Sequence, residues 1–329
     1  MSERPKVLVT RPIMPEPTRR LQERCDVLIH ENEFGIPRDE LLEVVRGYDA
    51  VITMLTEKVD GEFLAAAGPQ LKIVANHAVG FDNIVLDDCT AAGIIATNTP
   101  DVLTETTADT AFALLMAAAR RLGEGERFLR RREPWIWGPL MMLGQDVHHK
   151  TIGIVGFGRI GQAVARRANG FGMRVLYHDA VELPADVTGP LGAERRDFDD
   201  LLAESDFISI HTNLTPETRH LFGKEQFARM KDTAVLVNTS RGPVVDEAAL
   251  AEALAAGEIF AAGLDVFERE PDVQPALLEL ENAVVIPHLG SATVDTRDAM
   301  GNLAVDNVFA AFDGARPPTV LNPQVLGTA

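Results

Sequence analysis

Two basic residues stand in short blocks that each follow a predicted strand, where chemistry on a small acid could occur. Arg241 lies in the block 238–242, which reads NTSRG. A guanidinium there can bind a carboxylate through two parallel hydrogen bonds, although an ion-paired surface arginine is the competing interpretation. His288 lies in the block 287–291, which reads PHLGS. A nearby carboxylate would orient its imidazole and favour the protonated form, which makes a competent acid/base pair.

A third block supplies candidate acids for that pairing. Residues 263–271 read GLDVFEREP, so that Asp265 ends a predicted strand and Glu268 and Glu270 follow it. A single histidine is more often a hydrogen-bonded structural residue than a catalytic one, so the nearby acids matter to the interpretation. Because open α/β sheets bind ligands at the carboxyl ends of their strands, the three blocks together predict one site.

A glycine-rich turn predicts a nucleotide site next to these blocks. The apolar run TIGIV at 151–155 leads into a G-x-G-x-x-G spacing formed by Gly156, Gly158 and Gly161, with Arg159 and Ile160 opening the helix. In this pattern the first glycine permits the tight turn, the second lets the backbone approach a pyrophosphate, and the third lets the helix pack closely. The helix N-terminus offers N–H groups to the phosphates. An ordinary strand-to-helix turn is the competing interpretation.

Asp179 indicates which dinucleotide would bind. It ends the second strand of this unit about 20 residues after Gly158, where a carboxylate accepts hydrogen bonds from the ribose hydroxyls. The same charge would repel a 2′-phosphate, and residues 180–183 (AVEL) supply no cation to receive one. The sequence therefore favours NAD over NADP, with a plain strand-end aspartate as the alternative.

The composition of the chain limits the kinds of molecule that it can bind. The 329 residues carry a net charge of −18, from 31 basic and 49 acidic side chains, which argues against nucleic acid and against an anionic membrane surface. A small anionic substrate stays compatible, because one buried arginine reverses the local field. Cys25 and Cys89 lack the spacing of metal ligands, so we predict reduced thiols in a cytoplasmic protein and no metal site. The N-terminus does not read as a signal peptide, and the apolar run 111–119 is shorter than the roughly 20 residues of a membrane span.

The strand and helix pattern predicts two α/β domains with doubly wound parallel sheets. In the first, strands at 6–10, 27–30, 50–53 and 72–75 alternate with helices at 15–24, 38–46 and 60–67. A long helix at 101–121 connects to the second domain, whose strands are expected at 151–155, 174–178, 207–211, 234–238, 261–265 and 283–286. We expect the last helix, at 293–312, to return to the first domain. The predicted domains are 1–100 with 291–329, and 101–290.

Several blocks in the same order resemble the D-isomer-specific 2-hydroxyacid dehydrogenase family, and in particular its glyoxylate/hydroxypyruvate reductase branch. The blocks are 76–83 (NHAVGFDN), 97–104 (TNTPDVLT), 137–144, 156–163 and 288–293. The resemblance covers essentially the whole chain. It implies a flavodoxin-like substrate domain, a Rossmann NAD-binding domain and an active-site cleft between them.

The resemblance also implies residue roles. Arg241 would bind the substrate carboxylate, His288 would be the general acid/base and Glu270 its partner. The substrate would also contact the loop residues Ala78, Val79 and Gly80. The implied cofactor contacts are Thr107, Gly156, Gly158, Arg159, Ile160, Gly161, Asp179, Thr239, Ser240, Asp265 and Gly290.

The implied activity is the reversible NADH-dependent reduction of glyoxylate or hydroxypyruvate to glycolate or D-glycerate, by a homodimer. The alternatives are a D-2-hydroxyacid dehydrogenase of broader specificity, a phosphite dehydrogenase and an NAD-sensing corepressor-like binding protein. Phosphite dehydrogenase has a lysine where this chain has 78–80 (AVG), and the corepressor would lack turnover with a small 2-oxo acid.

Four positions bear on how closely the chain follows this branch. His77 stands where tyrosine is frequent, and Asn213 stands where proline is common. Trp137 resembles a tryptophan that reaches the active site of a neighbouring subunit, with an ordinary interface aromatic as the equal alternative. Asp179 stands where members that prefer NADP have serine or asparagine followed by arginine.

Overall fold

The computed structural model describes residues 4–32 and 34–327, which divide into two compact units. The first unit comprises the chain up to Leu103 and again from Ala292, and the second is Thr104–Ser291. Each unit has its own sheet, and every strand pair in both sheets is parallel. Among the described residues, no helix has both the length and the apolar character needed to cross a membrane.

The first unit has five strands in the order β2-β1-β3-β4-β5. They are β1 Lys6–Val9, β2 Asp26–Ile29, β3 Ala50–Thr53, β4 Ile73–Asn76 and β5 Ile95–Thr97. This is the doubly wound order of flavodoxin-like sheets. The predicted fold class of this unit is confirmed.

The second unit has seven strands in the order β12-β11-β10-β9-β6-β7-β8. They are β6 Thr151–Val155, β7 Arg174–His178, β8 Ala193–Arg195, β9 Phe207–Ile210, β10 Val235–Asn238, β11 Ala261–Leu264 and β12 Ala283–Val285. The order reverses between β6 and β9, and this switch point is where open parallel sheets bind ligands. The sheet is of the Rossmann type, as predicted, and it includes β8, a strand that was not predicted.

Thirteen α-helices lie within the part of the chain that the structure describes. In chain order they are α1 Pro15–Arg24, α2 Arg38–Val44, α3 Gly61–Ala67, α4 Leu86–Ala91, α5 Thr104–Ala119, α6 Leu122–Arg130, α7 Arg159–Gly170, α8 Ala185–Thr188, α9 Phe198–Glu204, α10 Lys224–Arg229, α11 Glu247–Ala256, α12 Pro275–Glu279 and α13 Val294–Phe312. Short 3-10 helices occupy Gly189–Leu191, Gly242–Val244 and Pro323–Leu326.

The strands read as continuous apolar runs because helices cover both faces of each sheet. In β10, Val235 and Val237 enter one core cluster while Leu236 enters the cluster on the opposite face. In β3, Ala50 and Ile52 belong to one cluster and Val51 to the other. Two buried faces fix the register of each strand and therefore the position of the residue at its end.

The predicted helix at 101–121 is wrong at both ends. Helix α5 begins at Thr104, after Asp101 adopts a left-handed backbone with φ 70°. It ends at Ala119, because the backbone of Arg121 is also left-handed, with φ 54°. The guanidinium of Arg121 binds Glu124, in the first turn of α6, through Nε and Nη2, both at 2.6 Å. The predicted end at Arg121 therefore lies two residues beyond the last helical residue, and helix α6 was not predicted.

The C-terminal helix α13 packs against α1 and β4 in the first unit, as the sequence predicted. Its apolar residues Ala304, Val305 and Val308 lie in the same core cluster as Val7 and Val9 of β1. An ion pair between Arg20 and Asp306, at 2.7 Å, joins α1 to α13 at the edge of that cluster. Helix α13 therefore packs into the core of the first unit.

Candidate active site

His288 and Glu270 form a hydrogen-bonded pair at the carboxyl end of the second sheet. Nδ1 of His288 lies 2.8 Å from Oε2 of Glu270, and 27% of each side chain is exposed. The other carboxylate oxygen accepts the N–H of Phe267 at 3.0 Å. Because Glu270 occupies Nδ1, the Nε2 atom of His288 is the ring nitrogen left for an exchangeable proton.

The surroundings keep Glu270 ionised. Burial would raise its pKa, but the hydrogen bond and charge of His288, the N–H of Phe267 and the charge of Arg241 together hold the pKa below its ordinary value. An ionised carboxylate can only accept a hydrogen bond, so Nδ1 of His288 donates to it. The pair therefore joins an imidazole to a fixed anion, which is the arrangement that acid/base chemistry needs.

Asp265 holds the loop that carries His288. Its carboxylate accepts the backbone N–H groups of Leu289 and of Gly290, the latter at 2.8 Å, and its carbonyl oxygen accepts the N–H of His288 at 2.9 Å. His288 has a left-handed backbone with φ 53°, a conformation that costs energy for a residue with a side chain. Burial raises the pKa of Asp265. Asp265 is thus a loop-anchoring residue in addition to its expected cofactor contact.

The Arg241 loop is shaped by Asn238. Its side-chain oxygen accepts both the N–H and the hydroxyl of Ser240, at 3.0 and 2.9 Å, and its amide donates to the carbonyl of Arg241 at 3.0 Å. A side chain on Gly242 would collide with the backbone of Phe267. Gly242 therefore brings the Arg241 loop against the segment that carries Glu270, a contact that the sequence analysis did not anticipate.

The two acids after β11 have different partners. Glu268 accepts the N–H of Glu247 at 3.0 Å and contacts Nε2 of His220 at 3.1 Å. Of these two acids, Glu270 is the one that hydrogen-bonds His288. Residue spacing alone did not distinguish them, and the family resemblance pointed to Glu270.

The glycine turn has the predicted geometry. Gly156 has φ 89°, and a Cβ there would lie 2.6 Å from the N atom of Thr212, so only glycine fits. A Cβ on Gly161 would collide with the carbonyl oxygen of Gly156, which is how α7 packs closely on β6. A Cβ on Gly158 would meet no atom within 4 Å. The open space at Gly158, next to the N-terminus of α7, fits an approaching pyrophosphate.

Asp179 faces this turn. Its Oδ2 accepts the N–H of Phe157 at 2.8 Å, and its Oδ1 accepts the N–H of Val181 at 3.1 Å. The carboxylate is therefore fixed beside the glycine turn, where a ribose would bind. Between Gly158 and Gly161, Arg159 is exposed and Ile160 packs on the core cluster that contains residues of α7.

Two buried threonines lie among the remaining cofactor candidates. The hydroxyl of Thr239 is buried and has no hydrogen-bond partner among the described residues. An unsatisfied buried hydroxyl at a strand end indicates a place where a ligand completes the bonding. Thr107, on α5, lies close to Gly290: a Cβ added to Gly290 would be 3.4 Å from the side chain of Thr107. These residues fit a bound dinucleotide.

The expected substrate loop of the first unit presents backbone N–H groups. The carbonyl oxygens of Ala78, Val79 and Gly80 accept hydrogen bonds from Thr99 N at 2.9 Å, Asn98 Nδ2 at 2.7 Å and Asn76 Nδ2 at 2.9 Å, respectively. Within residues 4–32 and 34–327, no acceptor is found for the N–H groups of Val79 and Gly80. A loop with fixed carbonyls and available N–H groups suits an anion.

The residues that depart from the branch have distinct environments. His77 is buried, and burial together with the charge of Arg297 lowers its pKa to about 4, so its imidazole is neutral at physiological pH. Trp137 is 78% exposed, and Trp135 and Ile136 beside it are also exposed. Across the described ranges, no group of three His, Cys, Asp or Glu side chains is arranged to hold a metal ion.

Comparison with known proteins identifies the class. The model of the family described as D-isomer specific 2-hydroxyacid dehydrogenase, NAD binding domain, matches residues 112–290. A glyoxylate reductase from Thermococcus onnurineus is 51% identical over 328 residues, covering 98% of this chain and 97% of that protein.

Solved structures agree. A glyoxylate reductase from Paecilomyes thermophila is 34% identical, with a TM-score of 0.87 over 98% of this chain and 100% of that one. An NADPH-dependent glyoxylate/hydroxypyruvate reductase from Sinorhizobium meliloti, in complex with NADP and malonate, is 35% identical, with a TM-score of 0.83 and 97% coverage of both chains. Fold and comparisons together define an NAD-dependent oxidoreductase. The chain belongs to the D-isomer-specific 2-hydroxyacid dehydrogenase family.

Proposed function

We propose that this protein reduces glyoxylate and hydroxypyruvate to glycolate and D-glycerate, with NADH as the preferred cofactor. The observation that carries the proposal is the 2.8 Å pair between His288 and Glu270 at the carboxyl edge of a Rossmann sheet. The relatives named glyoxylate reductase, about half identical over nearly the whole chain, support the choice of substrate.

In this proposal His288 is the general acid. When bound, NADH supplies the hydride that the 2-oxo carbon receives. The protonated imidazole donates its Nε2 proton to the substrate oxygen, while Glu270 stays ionised and holds Nδ1. In the oxidation direction neutral His288 takes the proton back. Acid/base transfer by a positioned side chain contributes about 100-fold or more to rate.

Arg241 is proposed to bind the substrate carboxylate and to orient the 2-oxo carbon, which lowers the entropy cost of reaction. Its positive charge also stabilises the alkoxide that develops on the substrate oxygen. In the first unit, the N–H groups of Val79 and Gly80 are proposed to bind a carboxylate. The guanidinium and the backbone N–H groups bind the carboxylate whether the 2-oxo carbon carries a hydrogen, as in glyoxylate, or a hydroxymethyl group, as in hydroxypyruvate, so both acids are accepted.

NADH is preferred in this proposal because Asp179 lies beside the glycine turn. A fixed carboxylate accepts hydrogen bonds from the ribose hydroxyls and repels a 2′-phosphate. The relative from Sinorhizobium meliloti binds NADP, so the family contains both preferences and the residue at this position has to be tested.

We also propose that the protein is a cytoplasmic homodimer. The exposed apolar residues of 135–143 give the reason: Trp135 is 57% exposed, Ile136 88%, Trp137 78% and Leu140 81%. Several exposed apolar residues in one short segment are typical of an interface. Both cysteines, Cys25 and Cys89, are free and buried, which suits a reducing compartment. Light scattering on the purified protein measures the subunit count, and a monomer at micromolar concentration would contradict this proposal.

The deciding experiment measures the oxidation of NADH and NADPH with glyoxylate, hydroxypyruvate, pyruvate and phenylpyruvate. We expect fast turnover with NADH and the first two acids. Higher kcat/KM with the bulkier acids would instead make this a dehydrogenase of broader specificity. Dinucleotide binding without turnover on any acid would favour a binding protein.

A further inference from the structure

A cation lies next to Asp179, although the residues that follow Asp179 in sequence supply none. It is Arg195, at the end of β8, and the guanidinium comes from a strand that the sequence analysis did not predict. Its Nη2 lies 3.4 Å from the carbonyl oxygen of Asp179, and its Nη1 lies 3.8 Å from the carboxylate of Glu182.

The sheet explains this position. Strands β7 and β8 are parallel neighbours, and Tyr177 pairs with Arg195 in their register. Both strands therefore end at the same edge of the sheet, so a side chain from the end of β8 can reach the loop that starts at Asp179. The proximity follows from strand pairing, and the sequence separation of 16 residues conceals it.

Arg195 is held only loosely. Its side chain is 44% exposed, and that of its partner Glu182 is 80% exposed. An ion pair this exposed contributes little free energy, so the guanidinium can turn to a stronger anion. The neighbouring Arg196 differs, because it binds Glu194 and Glu204 at 2.7 and 3.1 Å.

We propose that Arg195 is a second determinant of cofactor selectivity, which would bind the 2′-phosphate of NADP once the opposing charge of Asp179 is removed. This inference rests on the proposed dinucleotide function. The preference for NADH is then a balance of charges: two carboxylates, Asp179 and Glu182, outweigh one guanidinium. In this view the site rejects NADP through the acids it holds, although it already contains a phosphate-binding cation.

The test compares four proteins by equilibrium binding of NADH and NADPH, followed through the fluorescence of the bound nicotinamide. They are the natural chain, Asp179→Ser, Arg195→Ala and the double variant. In the Asp179→Ser background we expect Arg195→Ala to weaken NADPH binding about tenfold or more, since a hydrogen bond between charged groups is worth roughly 1.5–3 kcal/mol. NADH binding should change less than about twofold, because it has no phosphate at that position.

A matched control is Arg174→Ala, which removes the same charge from the amino end of β7, where the arginine binds Glu194 and Glu204. It should leave NADPH binding to the Asp179→Ser protein unchanged. Equal loss in the Arg174→Ala and Arg195→Ala variants would reduce the effect to net charge and overturn the inference. The inference would also be overturned if the double variant bound NADPH as tightly as the Asp179→Ser protein does.

The proposed function fails in a different way. If the natural chain binds neither NADH nor NADPH, the dinucleotide function itself is wrong. If it binds NADPH as tightly as NADH, the role of Asp179 is wrong, and a loss of that NADPH binding in Arg195→Ala would still support Arg195 as the phosphate contact.

Discussion

The two units share one architecture and differ in the chemistry at the carboxyl ends of their strands. Each is a doubly wound parallel sheet buried on both faces. The loop after β4 presents backbone N–H groups, with its carbonyls fixed by the neutral side chains of Asn76 and Asn98. The loops after β10, β11 and β12 carry the charged residues Arg241, Glu270 and His288.

This difference indicates which of the two units can transfer a proton. Backbone N–H groups recognise an anion without exchanging protons, so the first unit is equipped to bind. The second unit holds an imidazole and a carboxylate in contact, so it is equipped to react. Substitutions of His288 and Glu270 should therefore lower kcat, whereas substitutions in the loop of the first unit should change KM with little change in kcat.

The largest effect should come from His288→Ala. We expect kcat to fall about 100-fold or more while NADH binding stays within twofold, because the general acid is lost and the cofactor contacts remain. Steady-state kinetics and fluorescence titration measure the two quantities. His220→Ala is the matched control, since His220 also pairs with a glutamate, Glu268, at 3.1 Å. Comparable losses of kcat in both variants would remove His288 from the mechanism.

Arg241→Ala should raise KM for glyoxylate at least about tenfold, because a charged hydrogen-bonding partner of the carboxylate is lost. Arg241→Lys should recover only part of it, since an ammonium group cannot make two parallel hydrogen bonds. Arg229→Ala, which breaks the exposed pair with Asp199 at 3.0 Å, controls for net charge. A normal KM in Arg241→Ala would exclude the carboxylate role.

Gly158→Ala should weaken NADH binding about tenfold, because the new methyl group occupies the space through which the backbone approaches the pyrophosphate. The melting temperature should not fall, since a Cβ at Gly158 meets no atom within 4 Å. Gly170→Ala, in equally open space at the other end of α7, is the control. Unchanged NADH affinity in Gly158→Ala would place the pyrophosphate elsewhere.

Glu270→Gln should lower kcat about tenfold or more, because the neutral amide no longer supplies the negative charge that holds Nδ1 of His288. Steady-state kinetics measure this loss. Glu268→Gln should leave kcat within about twofold, since Glu268 binds His220 instead. An unchanged kcat in Glu270→Gln would show that the carboxylate does not support His288.

The same pair makes a contribution to stability with a defined sign. Because the folded-state pKa of Glu270 lies below its ordinary value, its stabilisation is complete above the ordinary carboxyl pKa and is lost as the pH falls through the lowered value. As the pH falls through this range, the free energy of unfolding should therefore decrease less steeply in Glu270→Gln than in the natural chain, which denaturant titrations at several pH values measure.

The smallest effect should come from the first unit. Asn98→Ala frees the carbonyl of Val79, and we expect KM for glyoxylate to rise about threefold to tenfold with little change in kcat, a loss of about one hydrogen bond. Asn307→Ala removes another buried asparagine of the same unit, bonded to Thr319 at 2.8 Å, and should leave KM unaltered. A large fall of kcat in Asn98→Ala would break the separation between binding and reacting units.

Much of the fold was predictable because its signals are local. Strands β3, β6 and β7 have the predicted bounds, and helix α1 does too, since an apolar run or a helical pattern identifies each one. Strands β5 and β8 were missed because each has only three residues, and the AER of β8 is largely exposed. Arg195 was missed with its strand.

Residue spacing and apolar runs depend on near neighbours, so the sequence predicted the glycine turn, the strand-end positions of Arg241, Asp179 and His288, and the two-unit pattern. The family resemblance named Glu270 as the partner of His288, whereas the anchoring of the His288 loop by Asp265 follows only from the tertiary structure. Glu270 lies 18 residues from His288 and Asp265 lies 24 from Leu289. Residues so far apart meet because parallel strands end at one sheet edge, and side-chain packing there, such as Gly242 against Phe267, selects the partners.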